Sequence, residues 1–544
     1  GSEDYLAAFF TAEQSVDTEN LTQYLKSKLT YYMVPAAIMQ LDEMPLNPNG
    51  KIDKSRLPEI RKNERKSSKR TPKKSLEERI CGIFKAVLSI DECYADDNFF
   101  ELGGTSLSAS KVTMKLMSEN VKAEYGDIFA NPTPESLAAF IEKNSGNQTA
   151  SGQDRAEAYT GNPALRHNIV RFADQVQRES LGNVLLTGAT GFLGVHILHE
   201  LIERNEGHIY CLIRKGNFSD VMTRLKMILM YYFDDTFDNV IDERITLINA
   251  DITDNNLDEL LKDVPFDTVI NSAVCVKHFV ADDILERVNV GGVENLISVC
   301  LKYNKRLVQI STVSVCGVYK SGAYDTPPKM YENDLFMLDS MENKYIISKY
   351  HAEQKIFDAI DKGLRGKVVR VGNLMGRHSD GEFQINMRTN AFLNALRGFV
   401  VIGKCPISHS TDPMGFSPID CTARAVVLLS GTNDTFTAFN ADNRSTFDEA
   451  KLIAVVNRCG LPVIPVQDEE YYAEFYRRMA DPEQNKKVSA LLTNDRPDVH
   501  VVNTDNRFTA NILYRLGFAW PFIDDTYLEK VIRALDSMGF FWLE

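Results

Sequence analysis

The sequence predicts a multidomain chain: a small α+β subdomain, a small helical bundle, then an α/β doubly wound parallel sheet with a C-terminal substrate-binding cap. Three observations carry that prediction. Apolar strands alternate with amphipathic helices from about residue 181 to 375. A glycine-rich turn joins the first of those strands to its helix. Two polar stretches, 61–73 and 146–162, cut the chain ahead of that region, and 544 residues are too many for one compact domain.

Residues 1–60 mix strand-like and helical patches and end in turn chemistry, Pro45-Leu46-Asn47-Pro48-Asn49-Gly50-Lys51. Residues 61–73 (RKNERKSSKRTPK) are basic and lack apolar periodicity, so they read as a solvated tether or a patch for an anionic surface. In 74–145, Leu76, Ile80, Ile83, Phe84 and Val87 fall at helical spacing. A second helix follows Gly103-Gly104 with Leu107, Val112, Met114, Leu116 and Met117, and a third covers Ser136–Lys143. Residues 146–162 are rich in small and polar types, as a flexible linker should be. In 163–544 the candidate strands are Asn183–Thr187, Ile209–Ile213, Ile245–Ala250, Thr268–Asn271, Leu307–Ser311 and Val368–Val371. Past about 375 the alternation weakens, and substrate-side loops with a helical cap are expected.

Composition narrows the function. Hydrophobic residues at 44% and charged residues at 25% are ordinary for a globular chain. No run of about 18 apolar residues suggests a membrane span. A net charge of −14 argues against a general nucleic-acid binder. Nine cysteines without a Cys-x-x-Cys fit reduced thiols in the cytoplasm, and nine histidines without ligand spacing give no metal site. Gly1-Ser2 reads as a cloning remnant, with no signal peptide behind it.

The first strand of the third region runs into Thr187-Gly188-Ala189-Thr190-Gly191-Phe192-Leu193-Gly194 and then a helix, Val195–Arg204. Gly188 permits the tight turn, Gly191 lets backbone approach a pyrophosphate, and Gly194 lets helix and strand pack closely. The helix N-terminus then offers free amides to phosphate. Thr190, Phe192 and Leu193 complete this dinucleotide loop. Strand two ends in Arg214 rather than a carboxylate. A guanidinium grips a 2′-phosphate that a carboxylate would repel, so NADP is favoured over NAD. Arg224 is either a second guanidinium for that phosphate or a solvated helix residue. Asp251-Ile252 after the third strand are expected by the adenine, and Ala273 after the fourth by the ribose.

Tyr345-Ile346-Ile347-Ser348-Lys349 places a phenol and an ammonium at i and i+4, on one helix face. The lysine charge is expected to lower the phenol's pKa, so that Tyr345 delivers a proton to a carbonyl as hydride arrives. Lys349 is also expected to hold the nicotinamide ribose. The strand ending Ile310-Ser311-Thr312-Val313-Ser314 offers a hydroxyl to polarise the carbonyl, from Thr312 or Ser314; either is otherwise a strand-end cap.

With these residues in view, the chain from about 180 resembles the extended short-chain dehydrogenase/reductase family, Rossmann-type in fold, with Thr312, Tyr345 and Lys349 at its triad positions. Asn289 in Asn289-Val290-Gly291-Gly292 resembles its Asn-Val-x-Gly element and is a cofactor-site candidate by that likeness. Arg370–Gly376 resembles the segment after its last core strand, with Gly372 where members often carry Pro. The stretch Asp97-Asn98-Phe99-Phe100-Glu101-Leu102-Gly103-Gly104-Thr105-Ser106-Leu107 resembles the attachment motif of peptidyl and acyl carrier domains. That likeness implies a 4′-phosphopantetheine on Ser106, installed by a phosphopantetheinyl transferase; a helix-start serine is the plain alternative. Residues 3–60 resemble the small C-terminal subdomain of adenylation domains. There Lys51 matches a lysine that assists adenylate formation, but the large adenylation core is absent, so the chain is expected not to activate its own substrate.

The order resembles the termination module of a nonribosomal peptide synthetase. It implies reductive release of a carrier-bound peptidyl or aminoacyl thioester with NADPH, to aldehyde or alcohol, fed by upstream synthetase modules. Carboxylic acid reductases and aminoadipate reductases share this order. A sugar-nucleotide epimerase, a non-redox cyclising release domain and a carrier without catalysis are the other readings.

Overall fold

The computed structural model describes residues 173–542 apart from 174, 217, 219, 277–283, 321–322, 325, 333, 340–342, 388–389, 411–412, 480–487, 489–490 and 492–498. Ahead of these it describes 7–12, 18, 21, 35, 37–41, 44–45, 57–58, 70–73, 75–88, 90–100, 102, 104, 106–118, 121, 128, 131–146 and 157–158. The chain divides into two compact units, one up to Gln153 and one from Asp154 onward.

In the first unit, β1 (Ala7–Phe10) pairs in parallel with β2 (Ala37–Gln40). Lys51 lies outside the described residues. Helices α1 (Ser75–Leu88), α2 (Ser106–Ser118) and α3 (Pro134–Gly146) form the bundle. Ile80, Ile83 and Phe84 of α1 meet Val112 and Leu116 of α2 and Leu137 and Ile141 of α3 around Phe99. The expected third helix, Ser136–Lys143, is longer by two residues at its start and three at its end. Pro at the first helical position needs no amide partner, and Thr133 and Ser136 satisfy each other's backbone N–H at 3.1 Å. The side chains of Leu107, Met114 and Met117 lie outside the described residues.

The second unit holds a seven-stranded sheet. Its strands are β3 (Val184–Thr187), β4 (Ile209–Ile213), β5 (Ile245–Asn249), β6 (Thr268–Asn271), β7 (Arg306–Thr312), β8 (Arg365–Val371) and β9 (Ala438–Ala441). They lie in the order β9-β8-β7-β6-β3-β4-β5, all parallel. Strand order reverses between β3 and β6, and a crevice opens there at the carboxyl ends.

Strands buried on both faces read as unbroken apolar runs, which is why β3, β4 and β6 are visible in the sequence. One face is covered by α4 (Phe192–Arg204), α5 (Val221–Phe233), α11 (Ile419–Ser430) and α14 (Arg507–Arg515). The other is covered by α7 (Leu257–Leu261), α8 (Gly292–Lys302) and α9 (Lys344–Asp361). Short α6 (Asp238–Arg244) leads into β5, and α10 (Ala391–Ile402), α12 (Glu449–Arg458), α13 (Asp468–Met479) and α15 (Asp525–Ser537) belong to the C-terminal part. β9 lies beyond 375, where the sequence pattern marks no strand. It is four residues long and carries Asn440 in the core, so no apolar run identifies it. Tertiary partners make that burial tolerable: Asn440 donates to the Asp505 carbonyl at 2.7 Å, and Thr509 accepts from its backbone N–H at 2.9 Å. No helix among the described residues is long and apolar enough to cross a membrane.

Candidate active site

The glycine turn between β3 and α4 is built from backbone alone. Gly188 has φ +71°, and a Cβ there would stand 2.6 Å from the Ala273 nitrogen. A Cβ on Gly194 would stand 1.9 Å from the Gly188 carbonyl oxygen. Gly191 caps α4 with no side-chain hydrogen bond, so the first-turn amides have no intrahelical acceptor and suit a pyrophosphate. Leu193 is buried in the core and Phe192 packs against Phe383 at 5.2 Å. Those two side chains are taken up by packing, and only their backbone faces the turn as the helix begins. Thr190 stays half-buried in the turn.

At the end of β4 the expected phosphate grip is already partnered. Arg214 is 68% exposed and lies 3.2 Å from Asp251, whose carboxylate also accepts from Thr253. Arg224 turns inward, donates to the Arg214 carbonyl and stands 5.7 Å over the Phe218 ring. It supports the position of Arg214 rather than lying free on its helix. The Ile252 side chain is core, against Gly292 of α8. Ala273 follows β6 beside the glycine turn, with its N–H 3.3 Å from Thr187 Oγ1.

Asn289 lies in a π-helical turn, Arg287–Gly291, ahead of α8. It is buried, and its amide is committed to protein. Oδ1 accepts from Cys275 N at 2.8 Å, and Nδ2 donates to Cys275 O and to Ser348 Oγ, both at 3.0 Å. Ser348 in turn donates to the Tyr345 carbonyl at 2.8 Å. Its amide ties the loop after β6 to the first turn of α9.

Tyr345 and Lys349 share a face of α9, whose N-terminus is capped by Asn343. Lys349 is buried and donates to the Ile310 carbonyl at 2.6 Å. Burial pulls its ammonium down to about 8, against the raising effect of Glu353 one turn on. Burial also pushes the Tyr345 phenol up to about 12. The expected lowering by Lys349 is therefore overturned: desolvation dominates. A phenol with that pKa is protonated near neutrality and is a proton donor, as a carbonyl reduction needs. Thr312 ends β7, and its Oγ1 accepts from Ser314 N at 3.2 Å. It serves as the strand-end cap, with its own hydroxyl hydrogen left to donate.

A buried chain of side chains, without a motif of its own in the sequence, connects the two ends of this site. Thr187 Oγ1 donates to Asn271 Oδ1, and Asn271 Nδ2 donates to Gln309 Oε1 at 2.7 Å. Gln309 Nε2 donates to the Ile310 carbonyl at 2.8 Å, the same oxygen that anchors Lys349. The chain crosses β3, β6 and β7 in register. Its sequence signal is slight: Thr187 and Asn271 end apolar strands, and Gln309 is a polar residue in the middle of one. Among the described residues no group of three or more His, Cys, Asp or Glu is set to hold a metal.

In the first unit, Ser106 is the first residue of α2; its side chain lies outside the described residues. Gly104 before it donates to the Phe99 carbonyl at 2.9 Å, and a Cβ there would strike the Phe99 ring at 2.4 Å.

Comparison with known proteins gives this geometry a family. A model described as phosphopantetheine attachment site matches residues 78–141, and one described as male sterility protein, a nicotinamide-binding family, matches 186–426. A solved thiolation-reductase di-domain from an archaeal non-ribosomal peptide synthetase is 36% identical. It covers 87% of this chain and 100% of its own, at a TM-score of 0.70. The chain belongs to the thiolation–reductase modules of nonribosomal peptide synthetases. Such a module pairs a carrier that takes covalent 4′-phosphopantetheine with a nicotinamide-dependent reductase. A linear gramicidin synthase of Brevibacillus parabrevis is 26% identical over 97% of this chain, which spans 11% of that protein. L-2-aminoadipate reductase of Schizosaccharomyces pombe is 29% identical over 75% of this chain, which spans 31% of that protein. The module is therefore a small part of the curated relatives it matches.

Proposed function

We propose that this thiolation–reductase module releases a peptidyl or aminoacyl group, held as a thioester on Ser106-bound phosphopantetheine, by reducing it with NADPH to an aldehyde or an alcohol. The observation that carries the reading is one sheet edge. The glycine turn, the end of β7 and the Tyr345–Lys349 face of α9 meet there, and a carrier helix starting at Ser106 precedes them in the same chain.

When bound, the dihydronicotinamide supplies hydride to the thioester carbonyl. The rest falls to the chain's own residues. Thr312 and Tyr345 donate hydrogen bonds to the oxygen as charge develops on it. Tyr345 holds the proton that this oxygen takes, giving a hemithioacetal. Its C–S bond then breaks to the aldehyde as the oxygen's proton passes to the departing pantetheine thiolate. The alcohol requires a second equivalent of NADPH and a second proton. Lys349 offers its remaining hydrogens to the ribose while Ile310 fixes its position. Gly188, Thr190, Gly191 and Gly194 shape the phosphate cradle. Arg214 turns from Asp251 to the 2′-phosphate, and an exposed pair worth under about 1 kcal/mol does not hold it back. A phosphate gives bidentate geometry with full negative charge, which supports NADPH over NADH. Tethering through a carrier raises the local concentration of the thioester.

The proposed boundaries are 1–60 for the C-terminal subdomain of an adenylation domain, 74–145 for the carrier and 163–544 for the reductase. The family matches at 78–141 and 186–426 fall inside the last two. A phosphopantetheinyl transferase and upstream modules are the implied partners. The test is cofactor consumption by the protein loaded at Ser106 with an acyl-pantetheine, with NADPH and NADH in parallel. Turnover lost in both Ser106→Ala and Tyr345→Phe supports the reading. Turnover of the carrier-bound thioester by Tyr345→Phe at the wild-type rate sinks it.

A further inference from the structure

One turn beyond the Tyr345–Lys349 pair, α9 carries a further ionisable side chain that takes no part in hydride or proton transfer. Glu353 stands at i+4 from Lys349, as Lys349 does from Tyr345, so the three share one helix face. The Glu353 side chain is wholly buried, and a buried carboxylate is costly unless it is paired. Its partner is Arg370 of β8, buried to the same degree. Arg370 Nε and Nη2 both donate to Glu353 Oε2, at 3.0 and 2.9 Å.

The guanidinium is fixed on its other sides as well. Nη1 donates to the Glu332 carbonyl at 3.4 Å and to Asn440 Oδ1 at 3.3 Å, and Nη2 donates to the Asp334 carbonyl at 2.8 Å. In register, Arg370 lies beside Ser311 of β7, the residue after the Ile310 whose carbonyl anchors Lys349. Both ends of the helical turn from Lys349 to Glu353 are therefore tied to the sheet. Lys349 is held to β7 through Ile310, and Glu353 to β8 through Arg370.

The other charged and titratable groups around this turn are engaged elsewhere. His351 and Lys355 of α9 face outward to Glu286 and Glu294 in exposed pairs, and Lys344 and Arg287 are exposed. Burial pushes the Cys316 thiol, after Thr312, up to about 12, so it is neutral. Glu332 Oε1 accepts from Thr509 Oγ1 at 2.8 Å, and the Asp334 carboxylate accepts from Tyr331 N at 2.9 Å. Glu353 is the charge that acts on Lys349, favouring its ammonium against the pull of burial. Arg370 keeps that carboxylate occupied, so that it does not capture the ammonium.

We propose that Glu353 and Arg370 are positioning residues of the reductase: together they fix the Lys349 turn of α9 against the sheet and keep Lys349 an ammonium that is free to hold the nicotinamide ribose. The inference rests on the thioester-reductase reading.

The test uses the full chain and two readouts between about pH 6 and 10: NADPH affinity by nucleotide fluorescence, and kcat with Ser106 loaded with an N-acetyl-dipeptidyl pantetheine. In the wild type both should fall as pH rises through about 8. Glu353→Gln keeps an oxygen acceptor for Arg370 but removes the negative charge, so both falls should move down by about one pH unit or more. Glu353→Asp keeps the charge and should recover most of that shift. Because an unpaired buried arginine can unfold Glu353→Gln, a double variant, Glu353→Leu with Arg370→Met, removes the pair together, a change that proteins with buried ion pairs often tolerate. Its falls should also move down, by less than in Glu353→Gln. Falls that stay at the wild-type pH while only the melting temperature changes overturn the inference, as does a wild type whose NADPH affinity stays level to about pH 10. If the wild type binds NADPH with the expected pH dependence but reduces no carrier-bound thioester, it is the reductase reading itself that fails.

Discussion

The two ends of the nucleotide site are made differently. Around Gly188, Gly191 and Gly194 the protein uses only backbone, and the constraint on each position is local and steric. Around Lys349 it uses side chains from β3, β6, β7 and α9, all buried and each satisfied by the next. The first kind of site tolerates almost no substitution at its glycines but is indifferent to the side chains of distant residues, since even Ser272 and Ala273 press on Gly188 with backbone. The second depends on residues far apart in sequence, and its strength lies in the completeness of the chain of hydrogen bonds.

Substitutions can break this contrast or sharpen it. The largest effect belongs to the side-chain end. Tyr345→Phe should lower kcat by about 10²–10⁴-fold, the usual worth of a positioned proton donor, with little change in melting temperature. At the backbone end, Gly194→Ala should cost about 1–3 kcal/mol of stability and lose nucleotide binding with it. Its Cβ would press on the Gly188 carbonyl rather than on a side chain that could move. A stable Gly194→Ala protein with normal nucleotide affinity would show that the turn can give.

Gln309→Leu leaves the Asn271 Nδ2 donor without its acceptor in a buried setting, at about 1–3 kcal/mol in denaturant titration. Gln309→Glu asks a sharper question through pH. Burial pulls Lys349 down to about 8 from an ordinary 10.5, so activity that needs its charge should fall as pH rises through about 8 in a pH–rate profile. A carboxylate at 309 should favour the ammonium and move that basic limb to higher pH. The stability sign is opposite. A depressed lysine is a folding cost that is full below about 8 and relieved between there and 10.5. Melting temperature measured across that window should therefore carry a stabilising contribution from Lys349 that Lys349→Met lacks. The smallest effect falls on the rim. Arg214→Ala should raise KM for NADPH by about tenfold, leave NADH nearly unchanged, and alter stability by under about 1 kcal/mol. Equal effects on both cofactors would remove Arg214 from the 2′-phosphate.

Much of this is legible in the residues. The glycine turn, six of the seven strands, the carrier helices and the Tyr345–Lys349 pair each depend on spacing within one element, and spacing is what a sequence displays. The physical reason is short range: a Cβ clash of Gly194 with the Gly188 carbonyl or an i, i+4 face on α9 is decided within a few residues. What only tertiary structure decided is long range. It made Asn440 a core strand residue, turned Asn289 into a brace between Cys275 and Ser348, and sent Ile252 into the core. It also reversed the expected shift of the Tyr345 phenol, because burial depends on everything packed around α9 while the lysine's influence depends on where Ile310 holds it. Desolvation and buried hydrogen bonding are sums over neighbours from the whole chain, and no local pattern records them.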